Sequence, residues 1–338
     1  MIIKKYHYLL ILTVAFATSA KAQDSLQVTK KFINLSFIGT ASTNGTYSQE
    51  MTNNVSLGLI HANPKNIYGF AFAPFNFVES SMYGLQIGLG NGAKTMKGLQ
   101  IGGANGAQYT RGVQIGISNG AQSFRGVQIG LFNMKNCFEY ETEEQAEGGL
   151  QIGLVNMADH NDFPIGLVNI IKDGDMNAGI YTDEMSNIMT TFRSGGRYLY
   201  GIVGLGTTFS SSEHHLVFEG GTGVHLHLTK RFRIDTEIVA AGFSVPMPIK
   251  LGESEADQKE RENRHDFREA FRASARILPN IRLDKHFEVF GGVSVNYLHS
   301  NNVRNEKMFP SQYWWRKFES SCFKQIHLGW TVGMQYRF

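Results

Sequence analysis

The chain has 338 residues and a formal net charge of +3, room for two ordinary domains or one large β-structure, with no electrostatic case for nucleic acid. Glycine (37) far outnumbers proline (7), and after the first 22 residues no stretch approaches the ~18 consecutive apolar residues of a membrane helix. Helical membrane proteins are thereby excluded, and many strands joined by tight turns are expected.

In chain order, the first segment reads as a secretory signal. Lys4 and Lys5 precede the short apolar run Leu9 to Phe16, and Ala20-Lys21-Ala22 is a small-x-small cleavage pattern. Residues 1–22 are therefore set apart, with cleavage expected after Ala22, and no cysteine there suggests a lipid anchor.

A repeat follows at about 69–169. Gly84-Leu85-Gln86-Ile87-Gly88 returns fourteen residues later from Gly98, again from Gly112 and Gly126, and after an acidic insertion from Gly149. Asn91, Asn105, Asn119, Asn133 and Asn156 close the units. Within a unit Leu85, Ile87 and Leu89 alternate with Gln86, Gly88 and Gly90, a strand pattern. The Asn-Gly pairs at 91, 105 and 119 are turn signals. The simplest reading is an antiparallel meander, one strand per repeat. A two-residue loop would scramble the two faces, so an odd loop with a bulge is expected. The competing reading is a solenoid with like residues stacked in parallel; the remainder of the chain favours the meander.

From about residue 198 the alternation continues without the repeat. Phe232, Ile234 and Ile238 oppose Arg233, Asp235 and Glu237; Phe271 and Ile277 oppose Arg272 and Arg276; Val293, Val295 and Tyr297 oppose Glu288, Ser294 and Asn296. Several apolar faces in succession fit a barrel with lipid outside and a polar lumen inside, which also leaves no open edge. Long loops at about 246–265 and 300–325 alternate with short turns at 229–231 and 282–286. That pattern puts the C-terminus at the periplasmic rim.

The last strand sets Trp330, Val332, Met334, Tyr336 and Phe338 on one face. An alternating aromatic strand ending in Phe resembles the C-terminal signature of bacterial outer-membrane barrels, which implies recognition by the barrel-assembly machinery. The repeats resemble bacterial surface-repeat proteins built on G-[LV]-Q-[IL]-G-x-x-N units. That resemblance implies a location and no biochemical activity.

The expected fold is all-β: one transmembrane antiparallel barrel of about sixteen strands over 23–338, the repeats forming its N-terminal meander. Lumen-lining candidates are Gln86, Gln100, Gln114, Gln128 and Gln151 with Arg233, Glu237, Arg268, Arg272 and Arg276. The arginines would either favour anions or pair with Asp235, Glu237 and Glu288. The Gln row would form a cross-strand ladder or bind a polar solute. Lys97, Arg111 and Arg125, one per repeat, are expected to snorkel at the membrane edge. His225 and His227 have metal-compatible spacing but lack further close ligands, so they read as polar lumen residues. Neither a catalytic set, a metal nor a cofactor is expected, and Cys137 and Cys322 leave bridging open.

Expected partners are outer-membrane lipid, the barrel-assembly machinery, and either small polar solutes or a surface ligand. Three functions remain: a porin-like passive channel in the outer membrane, a structural or adhesin-like surface barrel with a closed lumen, and a membrane-embedded enzyme acting on lipid or peptide.

Overall fold

The computed structural model describes residues 30–135, 149–161, 163–208, 215–246, 270–301, 309–319 and 322–338. The leader at 1–22, Cys137, the acidic stretch 139–147 and the charged stretch 253–268, with Arg268, lie outside the described residues. The chain divides into two compact units, residues 1–159 and 160–338.

The first unit comprises β1 (Lys30–Ile38), β2 (Ala41–Ser42), a 3-10 turn at Gly45–Glu50, β3 (Thr52–Ala62), β4 (Asn66–Phe72), β5 (Phe75–Ile87), β6 (Gly90–Ile129), β7 (Phe132–Lys135), β8 (Leu150–Ile152) and β9 (Val155–Ala158). β6 is one long extended run that winds through successive coils. Apart from the short antiparallel β1–β2 pair, these strands pair in parallel. Gly69 lies opposite Gly84 and Gly84 opposite Gly98; Gln128 lies opposite Gln151. Each repeat is one coil of a β-solenoid.

This overturns the expected meander. A fourteen-residue period fits an antiparallel hairpin or a parallel coil, and side-chain chemistry selects the coil. Parallel stacking sets each Gln on the next Gln and each Asn on the next Asn. Gln100 Nε2 donates to Gln86 Oε1 at 2.8 Å, and the chain of bonds continues through Gln114, Gln128 and Gln151. Asn91 Nδ2 donates to Asn105 Oδ1 at 2.8 Å and also to the backbone carbonyl of Ile101. The same pair of bonds recurs at Asn105, Asn119 and Asn133. Buried amides therefore have partners in every coil, as in stacked cross-β ladders. The Asn-Gly pairs are not hairpin turns, because their asparagines are buried inside the coil.

The leading glycines from Gly69 to Gly126 have a backbone reason. Gly112 has φ +142°, and a Cβ there would lie 2.0 Å from the carbonyl oxygen of Gly98 one coil below. Outside the coil, two rows run along one face. Ile33, Val55, Phe70, Leu85 and Leu99 form one; Leu35, Leu57, Phe72, Ile87 and Ile101 form the other. Val113, Val127 and Leu150 extend the first row and Ile115, Ile129 and Ile152 the second.

The second unit comprises β10 (Val168–Ile171), β11 (Asp175–Asp183), β12 (Asn187–Gly195), β13 (Leu199–Thr208), β14 (His215–His227), β15 (Phe232–Pro246), β16 (Ala270–Arg282), β17 (Phe287–Ser300), β18 (Trp315–Glu319) and β19 (Cys322–Arg337). β11 to β17 pair antiparallel in sequence order, β17 pairs β19, and β19 returns to β11. The barrel is closed with eight strands, not about sixteen, because the repeats close on themselves instead of contributing to its wall. The register runs from Ile180 through Thr190, Leu205, Phe218, Gly242, Phe271, His299 and Lys324; the β19–β11 pairing then ends ten residues from its start. Such a stagger tilts the strands by roughly 40°, and side chains suffice to fill the interior.

β11 stops at Asp183, leaving the upper edge of β19 without that partner. β18 takes the place, pairing Trp315 to Glu319 with Ile326 to Cys322, and Glu184 accepts the backbone N–H of Trp330 at 3.1 Å. On the outer wall, Asn169 donates its N–H to Ser194 Oγ at 2.9 Å and its side-chain amide to the Ser194 carbonyl. The backbone there passes so close that a Cβ on Gly201 would meet the Gly166 oxygen at 2.0 Å.

Replacing Gly112 by Ala should open the neighbouring coils, since strain of about 1–3 kcal/mol from the backbone conformation adds to the collision with Gly98. Gly106→Ala, where a Cβ meets nothing, should behave as the unmodified chain. Hydrogen exchange across residues 98–130 distinguishes the two. At the β16–β17 turn, Asp284 accepts the N–H groups of His286 and Phe287 at 2.7 and 2.8 Å. Those backbone hydrogen bonds hold its carboxyl below the usual carboxylate range. The clasp is therefore complete above the ordinary value of about 3.9 and is lost as pH falls through the depressed folded value. A carbon-13 titration of the Asp284 carboxyl should have its midpoint below that ordinary value, and a midpoint at or above it would contradict the clasp.

Candidate functional site

The alternation that makes each strand amphipathic directs one face of every barrel strand inward. Arg233, Asp235 and Glu237 on β15, Arg272 and Arg276 on β16, and Glu219 and His225 on β14 are all buried. Ile238, Phe271, Ile277 and Val293 stand exposed on the outer wall. The lumen is thus a column of ionisable groups in an apolar-coated tube.

Three clusters follow one another along it. Near the short-turn end, Arg233 Nη2 lies 2.8 Å from Glu288 Oε2 and its Nε 3.1 Å from Asp235 Oδ1. Arg282 Nε meets the other Glu288 oxygen at 3.0 Å, and Gln335 Nε2 donates to Glu288 at 2.9 Å. Asp235 also binds Asn280 Nδ2 at 2.6 Å and His225 Nδ1 at 2.7 Å. The His225 ring stacks on Tyr200 with centroids 4.0 Å apart. These two contacts position the His225 ring.

At mid-height, Glu237 accepts from Arg193 Nε at 2.8 Å and from the Tyr200 hydroxyl at 3.0 Å. Glu219 accepts from the Tyr181 hydroxyl at 2.6 Å and from Arg276 Nη2 at 3.0 Å. Arg276 also reaches Glu237 at 3.6 Å, tying the two carboxylates together. Toward the long-loop end, Arg272 Nη1 lies 2.7 Å from Asp183 Oδ2, which also accepts from Asn187 Nδ2 at 2.9 Å. Glu184 accepts from Asn296 Nδ2 at 2.9 Å and lies 3.2 Å from His327 Nε2. An apolar cluster then fills the bore: Met185, Met189, Phe243, Leu298, Phe309 and Phe323 are buried together.

Chemically this arrangement pairs its charges, although buried atoms such as Arg193 Nη2, Arg272 Nε and Nη2, Glu219 Oε1 and His225 Nε2 carry no hydrogen bond. Each buried carboxylate named here meets an arginine, tyrosine, histidine or amide, and Arg193, Arg272 and Arg276 also lie near aromatic rings. Arg193 sits 4.9 Å above Phe290 and Arg276 5.1 Å from the Tyr181 centroid. Burying so many charges is tolerated only because each is paired.

Of the sequence-derived lumen candidates, the structure brings Arg233, Glu237, Arg272 and Arg276 together inside the barrel. It places Gln86, Gln100, Gln114, Gln128 and Gln151 elsewhere, inside the solenoid, where their amides bond to one another; the lumen assignment for this row is corrected. Trp330, Val332, Met334 and Tyr336 face outward on β19, and Phe338 just beyond it is exposed as well. Sequence reasoning missed Tyr181, Asp183, Arg193 and Tyr200. Their strands alternate too, but the inward Met189 and outward Thr190 in β12 blur the apolar–polar contrast.

Removing one partner should therefore cost far more than removing a pair. Arg276→Leu leaves Glu219 and Glu237 short of a cation and should lower stability by about 3–5 kcal/mol. Combining it with Glu219→Leu should recover most of that loss, since Glu237 keeps Arg193. Equilibrium urea unfolding of both variants checks this, and an additive double variant would show that the two residues are not coupled.

No protein-family model matches the chain, and no curated protein matches it. Among solved structures the chain is similar to one described as "De novo design of transmembrane beta-barrels". The TM-score is 0.23 and the identity 13%, over 48% of this chain and 93% of that chain. The eight-stranded barrel assignment therefore rests on the strand pairings themselves.

Proposed function

We propose that this chain is an exported outer-membrane protein in which a closed eight-stranded barrel anchors a β-solenoid, serving a structural or surface-interaction role and not conducting solutes. The observation that carries this reading is the filled lumen: three ion-paired clusters and an apolar plug occupy the bore of a barrel already narrow by strand number.

Several features support the membrane part. The barrel strands run from nine to sixteen residues, at or beyond the ~9–11 that cross a bilayer when tilted. Their outward residues are apolar around the wall. Tyr198, Phe287, Tyr336 and Phe338 are exposed near the short-turn end, as in the aromatic girdle of such barrels. No helix among the described residues is long and apolar enough to cross a membrane, so any crossing falls to the strands. The leader at 1–22 and the β19 pattern ending in Phe338 support export and assembly into the outer membrane, with the C-terminus on the periplasmic side. The repeat pattern supports kinship with the bacterial surface-repeat proteins.

The channel reading is the weaker one. Arg272 and Arg276 would line an anion path only if unpaired, and both are engaged by carboxylates. The same engagement argues against a catalytic use of those carboxylates.

In planar bilayers, the refolded chain without residues 1–22 should insert and give no stable conductance steps. Stable single-channel steps would overturn the closed-barrel reading, and failure to insert would remove the membrane reading itself.

A further inference from the structure

The solenoid carries a face that its own fold does not use. Two rows of aliphatic and aromatic side chains run from β1 to β8, and a third row beside them includes Phe37, Leu59, Leu89, Ile117, Leu131 and Leu154, all exposed. None of the three rows contains a charged residue. With strands ~4.8 Å apart and each strand segment about 15 Å long, the face measures roughly 35 Å by 15 Å. A patch of that size is at the upper end of what a soluble monomer leaves in water. The interior of the coil is already filled by the Gln and Asn ladders and by a separate apolar cluster of Ile67, Ala71, Val78, Met82 and Met96, and the outward side chains belong to neither.

One edge of the face is cationic. Lys97, Arg111 and Arg125 each stand one residue before the corner glycine of their coil, all three exposed, and they follow one another at the coil spacing. Lys97 Nζ lies 4.9 Å from the centroid of Tyr83, which stacks on Tyr68 at 5.0 Å. A smooth aliphatic surface bordered by stacked tyrosines and a line of long cationic side chains has the chemistry of a bilayer interface. The opposite face, with Gly92, Lys94, Gly106, Gln108, Gly120 and Gln122, is small and polar.

We propose that the solenoid lies with this apolar face in one leaflet of a bilayer, Leu and Ile side chains among the acyl chains and the Lys97–Arg111–Arg125 row on anionic headgroups. The inference rests on the reading that the barrel inserts in a membrane, which ties the same chain to lipid. The strand segments are too short to span the hydrocarbon, so the face rests on the membrane without crossing it. A second copy of the chain is the less fitting occupant, since an identical face offers no carboxylate to meet the basic row.

The test uses the full chain with Cys137→Ser and Cys322→Ser, folded into vesicles of phosphatidylcholine alone or mixed with phosphatidylglycerol. Single cysteines placed as Ile117→Cys or Leu131→Cys on the apolar face, Gln122→Cys on the polar face and Val293→Cys on the barrel wall carry a fluorophore. Brominated acyl chains should reduce emission at 117 and 131 by about half, as for side chains some 5–10 Å below the headgroups, while aqueous iodide has little effect. Gln122→Cys should show the reverse. Reversing the basic row (K97E, R111E, R125E) should weaken the lipid quenching in vesicles containing phosphatidylglycerol and leave it unchanged in phosphatidylcholine. An unchanged response in both would overturn the headgroup assignment.

Quenching at 293 with iodide access at 117 would overturn the proposal and leave the barrel anchor standing. Protection of 117 from both quenchers would overturn it in favour of a protein cover such as a second copy. Absence of quenching at 293 would bring down the anchor and this inference together.

Discussion

Every β-strand has two edges of unpaired N–H and C=O groups, and a chain whose described residues hold almost no helix must place all of them. This protein meets that demand twice, by different geometries. In residues 160–338 the sheet curls until its last strand meets its first. In the repeat region each coil becomes the edge partner of the next. Both solutions leave side-chain alternation to sort apolar from polar, and in both the polar set goes inside. The interior is held by hydrogen bonds and charge pairs beside smaller buried apolar clusters, and the exterior carries most of the large hydrophobic residues.

That inversion makes partner completeness the governing requirement. A conventional core tolerates a lost methyl with a modest cavity, whereas a buried carboxylate that loses its cation keeps its full desolvation cost. The mid-height cluster shows how redundancy arises. Glu237 touches both Arg193 and Arg276, and Glu219 is held by both Arg276 and Tyr181. The solenoid uses neutral amides for the same purpose, and Asn91, Asn105, Asn119 and Asn133 each donate both to the next ladder asparagine and to a backbone carbonyl.

The sequence made the alternation legible, and with it the inward or outward sense of residues such as Arg233, Glu237, Ile238, Arg272 and Val293. It left the direction of pairing open in the repeats. A run such as Gly84 to Leu89 has the same two faces whether its neighbour runs parallel or antiparallel, and an Asn-Gly pair signals a hairpin wherever it is solvent-exposed. One clue lay in the parity conflict that a two-residue loop would create, a conflict that disappears when like stacks on like. The strand count was overestimated for the same reason, since the repeats were added to a barrel wall that the later strands complete alone. Tyr181 and Arg193 escaped notice because contacts between residues far apart in sequence define the lumen, and short strands with Met inside and Thr outside give little contrast.

A ladder in which each rung is bonded only to its neighbours has no preferred length. Inserting or deleting one fourteen-residue block between Gly98 and Gly126 would leave every remaining Gln, Asn and corner glycine with the partners it needs. The acidic insertion between Gly126 and Gly149 already shows that a coil junction accepts extra chain, because Gln128 and Gln151 still meet at 2.9 Å across it. The near-identical blocks would also recombine readily at the gene level. Reach, counted in coils, is thus a property that evolution can adjust without redesigning the protein, and related chains would be expected to differ in repeat number before they differ in barrel.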